Sequence, residues 1–406
     1  MRSNLKVEFK AVMIGAAKAL VHLGGSLIFN SIRNKANFEA SLLKNPRHVL
    51  YISLAYRGDF ILCFPALAAL RRRFPDAKIT CWVRKYNEHL VELNPDINQT
   101  IVFDDFKTKG ISIFQSISFN GAQNDFLRFL KDKKFDLCID DSGFAFCAII
   151  CARAGIPLRI GRNTQGFGFL YHFEYAYDFD APLVLKRFRL LERLGVSDPG
   201  AGALIPRITI PEELKRKTLQ KLGFEQIDKG YFTVQPYAGW PAKNWNDDKF
   251  AFVIEQFASL SKLTPVFIGG QSDEAGIAAM AAKISCKSIS AAGTLELHET
   301  AALISGAKYH IGVDSVGSHL AAATGVRSLT LFGPTNPRLI AVLTEKNIAV
   351  FKNTACTPAP NRIYCCRDAG RSCRDVVCMR ELREGDVFDI LTKTWRGEKV
   401  ESLAEF

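Results

Sequence analysis

An α/β chain of two doubly wound domains facing a central cleft is what this sequence predicts, and three observations predict it. The length, 406 residues, is too great for one ordinary domain and comfortable for two. The composition, 48% hydrophobic and 23% charged, is globular and excludes a largely disordered chain. From residue 47 onward, short β-branched or apolar runs alternate with longer helical patterns, the signature of parallel βαβ units, and the alternation occurs twice.

In the first run, HVLYISL (48–54) reads as a buried strand, AYRGD as a turn, and FILCFPALAALRRRF (60–74) as a helix ended by Pro75-Asp76. Strands follow at KITCWV (78–83), QTIVFDD (99–105), DLCIDD (136–141) and LRIGR (158–162). Helices are expected at FLRFLKDKKF and AFCAIICARAG (145–155). The stretch 200–212 has Gly and Pro punctuation with little periodicity, so the interdomain linker is placed there. In the second run the strands are YFTVQPYA (231–238), PVFIGG (265–270), SISAAG (288–293), YHIGVDS (309–315) and SLTLFG (328–333), which closes the series. Its helices are 247–261, 273–284, 297–307 and 318–325. The resulting organisation is an N-terminal amphipathic extension (1–46), a first domain (47–205), a linker (206–228), a second domain (229–345), and a cysteine-rich loop with a C-terminal crossover helix (346–406). Ligands of such folds bind beyond the carboxyl ends of the strands.

The net charge of +12 admits phosphate-bearing ligands, anionic lipid or nucleic acid as partners. Residues 1–46 contribute +5 of it and residues 352–380 contribute +4, so the central chain is nearly balanced. Residues 11–29 are apolar, but Lys18, His22 and Gly24-Gly25 interrupt them, and Lys10, Lys18, His22, Asn30 and Arg33 share one helical side. This is an amphipathic helix with a basic face, the pattern of a segment lying in a membrane interface. A helix packed on the protein's own surface and a true span are the alternatives. No small-residue cleavage site follows the apolar run, which favours a reducing cytoplasm. Five of the eleven cysteines, Cys356, Cys365, Cys366, Cys373 and Cys378, fall within 23 residues, and in that compartment such a cluster leans towards metal.

Three tracts carry chemistry. Arg57-Gly58-Asp59 follows a buried strand and opens a helix, which puts a carboxylate at the cleft mouth, either to accept a proton from an incoming hydroxyl or to cap the helix. In IGVDSVGSHLAAATG (311–325) a strand ends at Asp314, and Ser315, Gly317, Ser318 and His319 open a helix, an anion site suited to a diphosphate. LFGPTNPR repeats the design with Gly333 and Thr335. Neither a P-loop nor a G-x-G-x-x-G motif is present. In the third tract Lys243 lies in a loop flanked by Trp240 and Trp245, either a phosphate contact or an exposed loop lysine.

Taken together, RGDFILCFPALAALRRRFPDAKITCWV, FDLCIDDSG, RIGR, the lysine loop, FIGGQSDE, GVDSVGSHLAAATG and LFGPTNP resemble, in order and spacing over most of residues 47–392, the ADP-heptose:lipopolysaccharide heptosyltransferases of glycosyltransferase family 9. The resemblance implies a GT-B type fold of two Rossmann-like domains and an inverting transfer of a heptose or related sugar from an ADP-linked donor to a lipopolysaccharide-core-type glycolipid. It implies Asp59 as general base, with Arg57 and Gly58 on the acceptor side. Lys243, Asp314, Ser315, Gly317, Ser318, His319, Gly333 and Thr335 are implied around the donor sugar and diphosphate, Asp273 or Glu274 near the ribose, and Thr294 and Leu295 at the adenine. Catalysis without a metal cofactor is implied as well. The cysteine cluster resembles an element found in part of the family, and four of its thiolates are expected to bind a structural Zn or Fe, or else to remain unligated thiols. The expected setting is cytoplasmic and peripheral on the inner membrane, with an anionic membrane surface as partner and no nucleic acid. Two alternatives stand beside this reading: a heptosyltransferase with a protein acceptor, and a nucleic-acid-binding module using the basic cysteine cluster.

Overall fold

The structure, a computed structural model, describes residues 45–105, 119–163, 165–175, 181–196, 201–224, 230–365, 373 and 375–406. The N-terminal amphipathic segment lies outside them. Among the described residues no helix is long and apolar enough to cross a membrane.

The first half is a six-stranded sheet, β1 (His48–Ser53), β2 (Lys78–Val83), β3 (Gln99–Val102), β4 (Leu137–Asp140), β5 (Leu158–Arg162) and β6 (Phe173–Tyr175), in the order β3-β2-β1-β4-β5-β6. Every neighbouring pair is parallel. Its helices are α1 (Arg57–Ile61), α2 (Phe64–Arg73), α3 (Glu88–Val91), α4 (Gly121–Lys133), α5 (Ala145–Arg153) and α6 (Leu183–Arg189). β1 is buried from Val49 to Ser53 because a parallel sheet is covered on both faces, hence its unbroken apolar run. α4 is started by a capping box in which the Asn120 side chain accepts from the Gln123 amide and Gln123 answers back. The single helix expected over 60–74 is two: the chain breaks at Leu62-Cys63, and Pro65 sits in the first turn of α2, where its missing N–H costs nothing.

The second half follows α7 (Glu212–Lys221). Its sheet has seven strands: β7 (Tyr231–Gln235), β8 (Thr264–Phe267), β9 (Ile289–Ser290), β10 (Tyr309–Val313), β11 (Ser328–Phe332), β12 (Asn347–Phe351) and β13 (Leu403–Glu405). The order is β13-β12-β11-β10-β7-β8-β9, again all parallel. The helices are α8 (Asp247–Ser261), α9 (Glu274–Ala281), α10 (Leu297–Gly306), α11 (Val316–Thr324), α12 (Pro337–Ile340), α13 (Val377–Arg380) and α14 (Glu384–Trp395).

Three further expectations change. The linker placed at 206–228 contains α7, which packs on α10 with Lys221 ion-paired to Glu299 at 2.8 Å. β11 does not close the series, since β12 and β13 extend the sheet and the boundary at residue 345 falls just before β12. α14 does not cross back to the first half: it packs along α8, and the chain after it returns as edge strand β13 of the second sheet.

In each sheet the strand order reverses at one point, β1/β4 in the first and β7/β10 in the second, and the crevice at such a point is where α/β sheets take ligands. The two halves meet there. One apolar cluster runs from Val49, Phe60 and Leu67 to Leu303 and Leu320, and α1 packs on α11.

Candidate active site

After β1 the chain turns at Leu54–Tyr56 into α1, whose N-cap, Tyr56, supplies no side-chain cap. Asp59 stands in its first turn, half-buried, and its carboxylate makes no hydrogen bond among the described residues. It does not cap the helix. A side chain at Gly58 would meet the His319 ring at 2.7 Å, so glycine is what allows the second half to close on this turn. Asp59 shares a 230 Å³ cavity with Ser53, Tyr56, Asp141, Arg162 and Arg187, while Tyr364 reaches it from the second half.

The opposite wall is built at the ends of β7 and β10. Gln235 on β7 accepts from the Gly317 amide at 2.8 Å and donates to the Ser315 hydroxyl at 3.1 Å, fixing the start of α11. Gly317 leaves no room for a side chain, because a Cβ would collide with Gln235 Oε1 and lie 2.8 Å from the His310 ring. Lys243 Nζ meets Asp314 Oδ2 at 2.7 Å over the Trp240 face, 4.8 Å from the ring centre, and the Thr335 hydroxyl donates to the same carboxylate oxygen at 2.6 Å. Burial pushes the Asp314 carboxyl up, but Lys243, Thr335 and His319 outweigh it and hold the group below the usual carboxylate range. Burial lowers His319 and favours neutral imidazole, opposed by the carboxylates of Asp314 and Asp59. Trp245 is 4% exposed and its indole donates to the Leu382 carbonyl at 3.2 Å, so it is core and borders no ligand site.

Between the halves lies a cavity of about 1040 Å³, large enough for a nucleotide sugar. Of the donor residues expected from sequence, Asp273, Leu295 and Ser315 line it. Arg57, expected on the acceptor side, lines this larger cavity with Lys85, Tyr86 and His89, its guanidinium 4.9 Å from the Tyr86 ring centre. Lys243, Asp314, Gly317, His319 and Thr335 stand behind the lining as one buried or part-buried cluster, and Ser318 donates to the Ser315 carbonyl at 2.7 Å. Glu274 lies against Gly293, whose φ is +66°. Thr294 is exposed and turns its hydroxyl to the Ala292 carbonyl. Gly333 abuts Met379 and Cys378, away from the cavity. Sequence reading missed Gln235, Tyr237, Lys85, Tyr86, Asp141, Arg162 and Arg187. Gln235, Asp141 and Arg162 stand at strand ends, the one local signal that could have found them.

The cysteine-rich segment is tethered behind Asp314: the Cys365 amide donates to the Pro334 carbonyl at 3.0 Å, and Thr335 pairs with Tyr364. Burial pushes the Cys378 thiol up to about 11, with Cys356 and Cys373 near enough to add to it. Among the described residues no three His, Cys, Asp or Glu side chains converge on a metal position. Cys366 lies outside them, as do Arg367, Arg371 and Arg374.

A family model described as glycosyltransferase family 9 (heptosyltransferase) matches residues 124–366. The lipopolysaccharide heptosyltransferase 3 of Escherichia coli (strain K12) is 27% identical over 291 residues, 70% of this chain and 81% of that one. The solved E. coli ADP-heptose lps heptosyltransferase II superposes with a TM-score of 0.68 at 19% identity, covering 86% of this chain and 99% of its own. The iron-containing dodecameric glycosyltransferase TibC from enterotoxigenic E. coli H10407 superposes with a TM-score of 0.51 at 15% identity, covering 87% of this chain and 77% of its own.

Proposed function

The chain belongs to glycosyltransferase family 9, the heptosyltransferases, and is therefore a glycosyltransferase of GT-B fold; from that premise we propose that it moves a heptose from ADP-heptose to a lipopolysaccharide-core-type acceptor, with inversion and with Asp59 as general base. The observation that carries this reading is the closure of the two halves at one point. His319 of the second half rests on Gly58, beside a carboxylate that no side-chain hydrogen bond ties down among the described residues. The donor occupies the large cavity, its diphosphate at the start of α11, where the helix dipole favours negative charge. Lys243 has three donors, of which two face Asp314 Oδ2 and the Asp314 carbonyl, so one serves the phosphate. The acceptor enters the smaller cavity beside Asp59. Its hydroxyl proton passes to the Asp59 carboxylate as the oxygen attacks the anomeric carbon. The bond from that carbon to the diphosphate oxygen breaks, and its electron pair leaves with ADP. The chemistry needs no metal in this reading.

Two parts of the reading lie outside the catalytic cleft. The basic face of the N-terminal segment docks the enzyme on the cytoplasmic surface of an anionic membrane, which brings it to a glycolipid acceptor. A structural Zn or Fe at the cysteine cluster would have to draw its thiolates together, since no three of the described ones converge as they stand; the electrostatic influence of Cys356 and Cys373 on Cys378 supports this part of the reading, as does the fold likeness to an iron-containing glycosyltransferase. Elemental analysis of the purified chain decides the point, and a metal-free, fully folded protein contradicts it.

The function is tested by mass spectrometry of cell-surface glycolipid with and without the gene. A loss of one heptose supports the reading. An unchanged glycolipid, with a heptose missing from a protein instead, moves the acceptor to the protein class.

A further inference from the structure

The floor of the smaller cavity is a buried ionic network drawn from four separate stretches of the chain. Arg187 on α6, 4% exposed, directs its guanidinium four ways. Nη2 donates to the Asp59 main-chain carbonyl at 3.0 Å and Nη1 to the Leu183 carbonyl at 2.7 Å, while Nε faces Cys63 Sγ at 3.0 Å and Asp141 Oδ2 at 3.1 Å. Asp141, beyond the end of β4, is held in turn by Arg162 at 2.5 Å. Burial pushes the Cys63 thiol up to about 12, so it remains a neutral donor, 3.3 Å from Asp141 and 3.6 Å from the Asp59 carbonyl. Two guanidiniums and a carboxylate buried together are a costly way to fill a core, and such groups are weak evidence of stability by themselves.

What the network grips is the turn that carries Asp59. α1 is five residues long without a side-chain cap, far below the length at which a helix holds its own shape, and among the described residues the Asp59 carboxylate takes no hydrogen bond. Its position is therefore inherited from its main chain, whose Asp59 carbonyl is held from outside α1 by the Cys63 thiol at 3.6 Å and, more closely, by Arg187 at 3.0 Å from 128 residues away. We propose that Arg187, anchored by Asp141, is the positioning residue of the base: it holds the Asp59 carbonyl so that the carboxylate stands at the acceptor hydroxyl. This rests on Asp59 being the base.

The test is a double-mutant cycle in the full chain, Arg187→Lys and Asp59→Asn singly and together, read as kcat and as KM for donor and acceptor, with thermal melting as the control for folding. Arg187→Lys keeps the charge but loses the fork that reaches Asp59, Leu183 and Asp141 at once. It is expected to lower kcat between about ten- and a hundredfold with both KM values within about twofold, and to have no further effect on the residual rate of Asp59→Asn. A folded Arg187→Lys with wild-type kcat overturns the proposal, as does a loss that multiplies with that of Asp59→Asn. Asp141→Asn is the second variant and is expected to reproduce the same non-additive kcat loss; failure of both variants to fold assigns the network to stability and also overturns it. An Asp59→Asn enzyme as active as the wild type instead removes the reading on which the proposal rests.

Discussion

Lys243 and Asp314 meet at 2.7 Å across 71 residues of sequence, and Thr335 closes the same carboxylate from the other side at 2.6 Å. Asp314 is 2% exposed, so it has no water to fall back on if its cation is removed. Breaking one partner of a buried pair costs about 3–5 kcal/mol, because the other charge is left uncompensated. Lys243→Ala is expected to lose about that much in urea unfolding and to bind ADP-sugar more weakly. Lys243→Ala, Asp314→Asn should recover most of the stability but not the donor affinity. Unchanged unfolding of Lys243→Ala would show that the pair does not hold the loop.

The start of α11 depends on Gly317. Gly317→Ala places a methyl group into Gln235 Oε1 and the His310 ring, so the Gln235 bonds to Gly317 and Ser315 cannot both persist. Donor KM is expected to rise by about tenfold or more while the fold is retained, as for any displaced binding loop. A donor KM within twofold of wild type refutes the assignment of this turn to the diphosphate.

His310 gives the pH prediction. It is fully buried on β10 with Nδ1 on the Thr233 hydroxyl at 3.0 Å and Nε2 without a partner among the described residues, and burial lowers it to about 3. The unfolded chain takes up a proton near pH 6.5 that the native chain refuses, so stability is retained above that pH and lost as pH falls from about 6.5 towards 3. The slope from this one group is about 1.4 kcal/mol per pH unit. In urea melts between pH 7 and pH 5, His310→Asn should show a shallower loss than wild type by about that slope. Parallel slopes contradict the account.

Much of the second half was legible because its signals are local. Strand ends, Gly-Ser turns and amphipathic helices are written within windows of about 15 residues, and α8 falls on its expected bounds, 247–261. Asp314 stands directly after β10, a position that local pattern marks, whereas Asp59 and Lys243 lie six and eight residues beyond β1 and β7, and their roles remain the reading proposed above. What failed was partner choice at a distance. α7 is mostly charged, with Thr218 its buried residue and only Leu214 and Leu219, with Leu222 at its C-cap, packed partly buried on the core, too sparse a stripe to mark a helix inside a supposed linker. The pattern of α14 says that it packs but not on which half, and β13 has only three residues. Arg187 lies in the stretch after β6 that periodicity left unassigned, and nothing local in LVLKRFR tells the arginine that grips Asp59 from its neighbours.

The central claim is that Asp59 removes the acceptor proton at a site assembled from both halves. The most direct measurement is ADP release and heptosylated product formed by purified Asp59→Asn and wild-type chain, given ADP-heptose and heptose-deficient lipopolysaccharide, with donor affinity measured alongside. The account predicts a kcat lower by about 10²–10⁴-fold with donor affinity within a few-fold of wild type. A variant that turns over at the wild-type rate contradicts it.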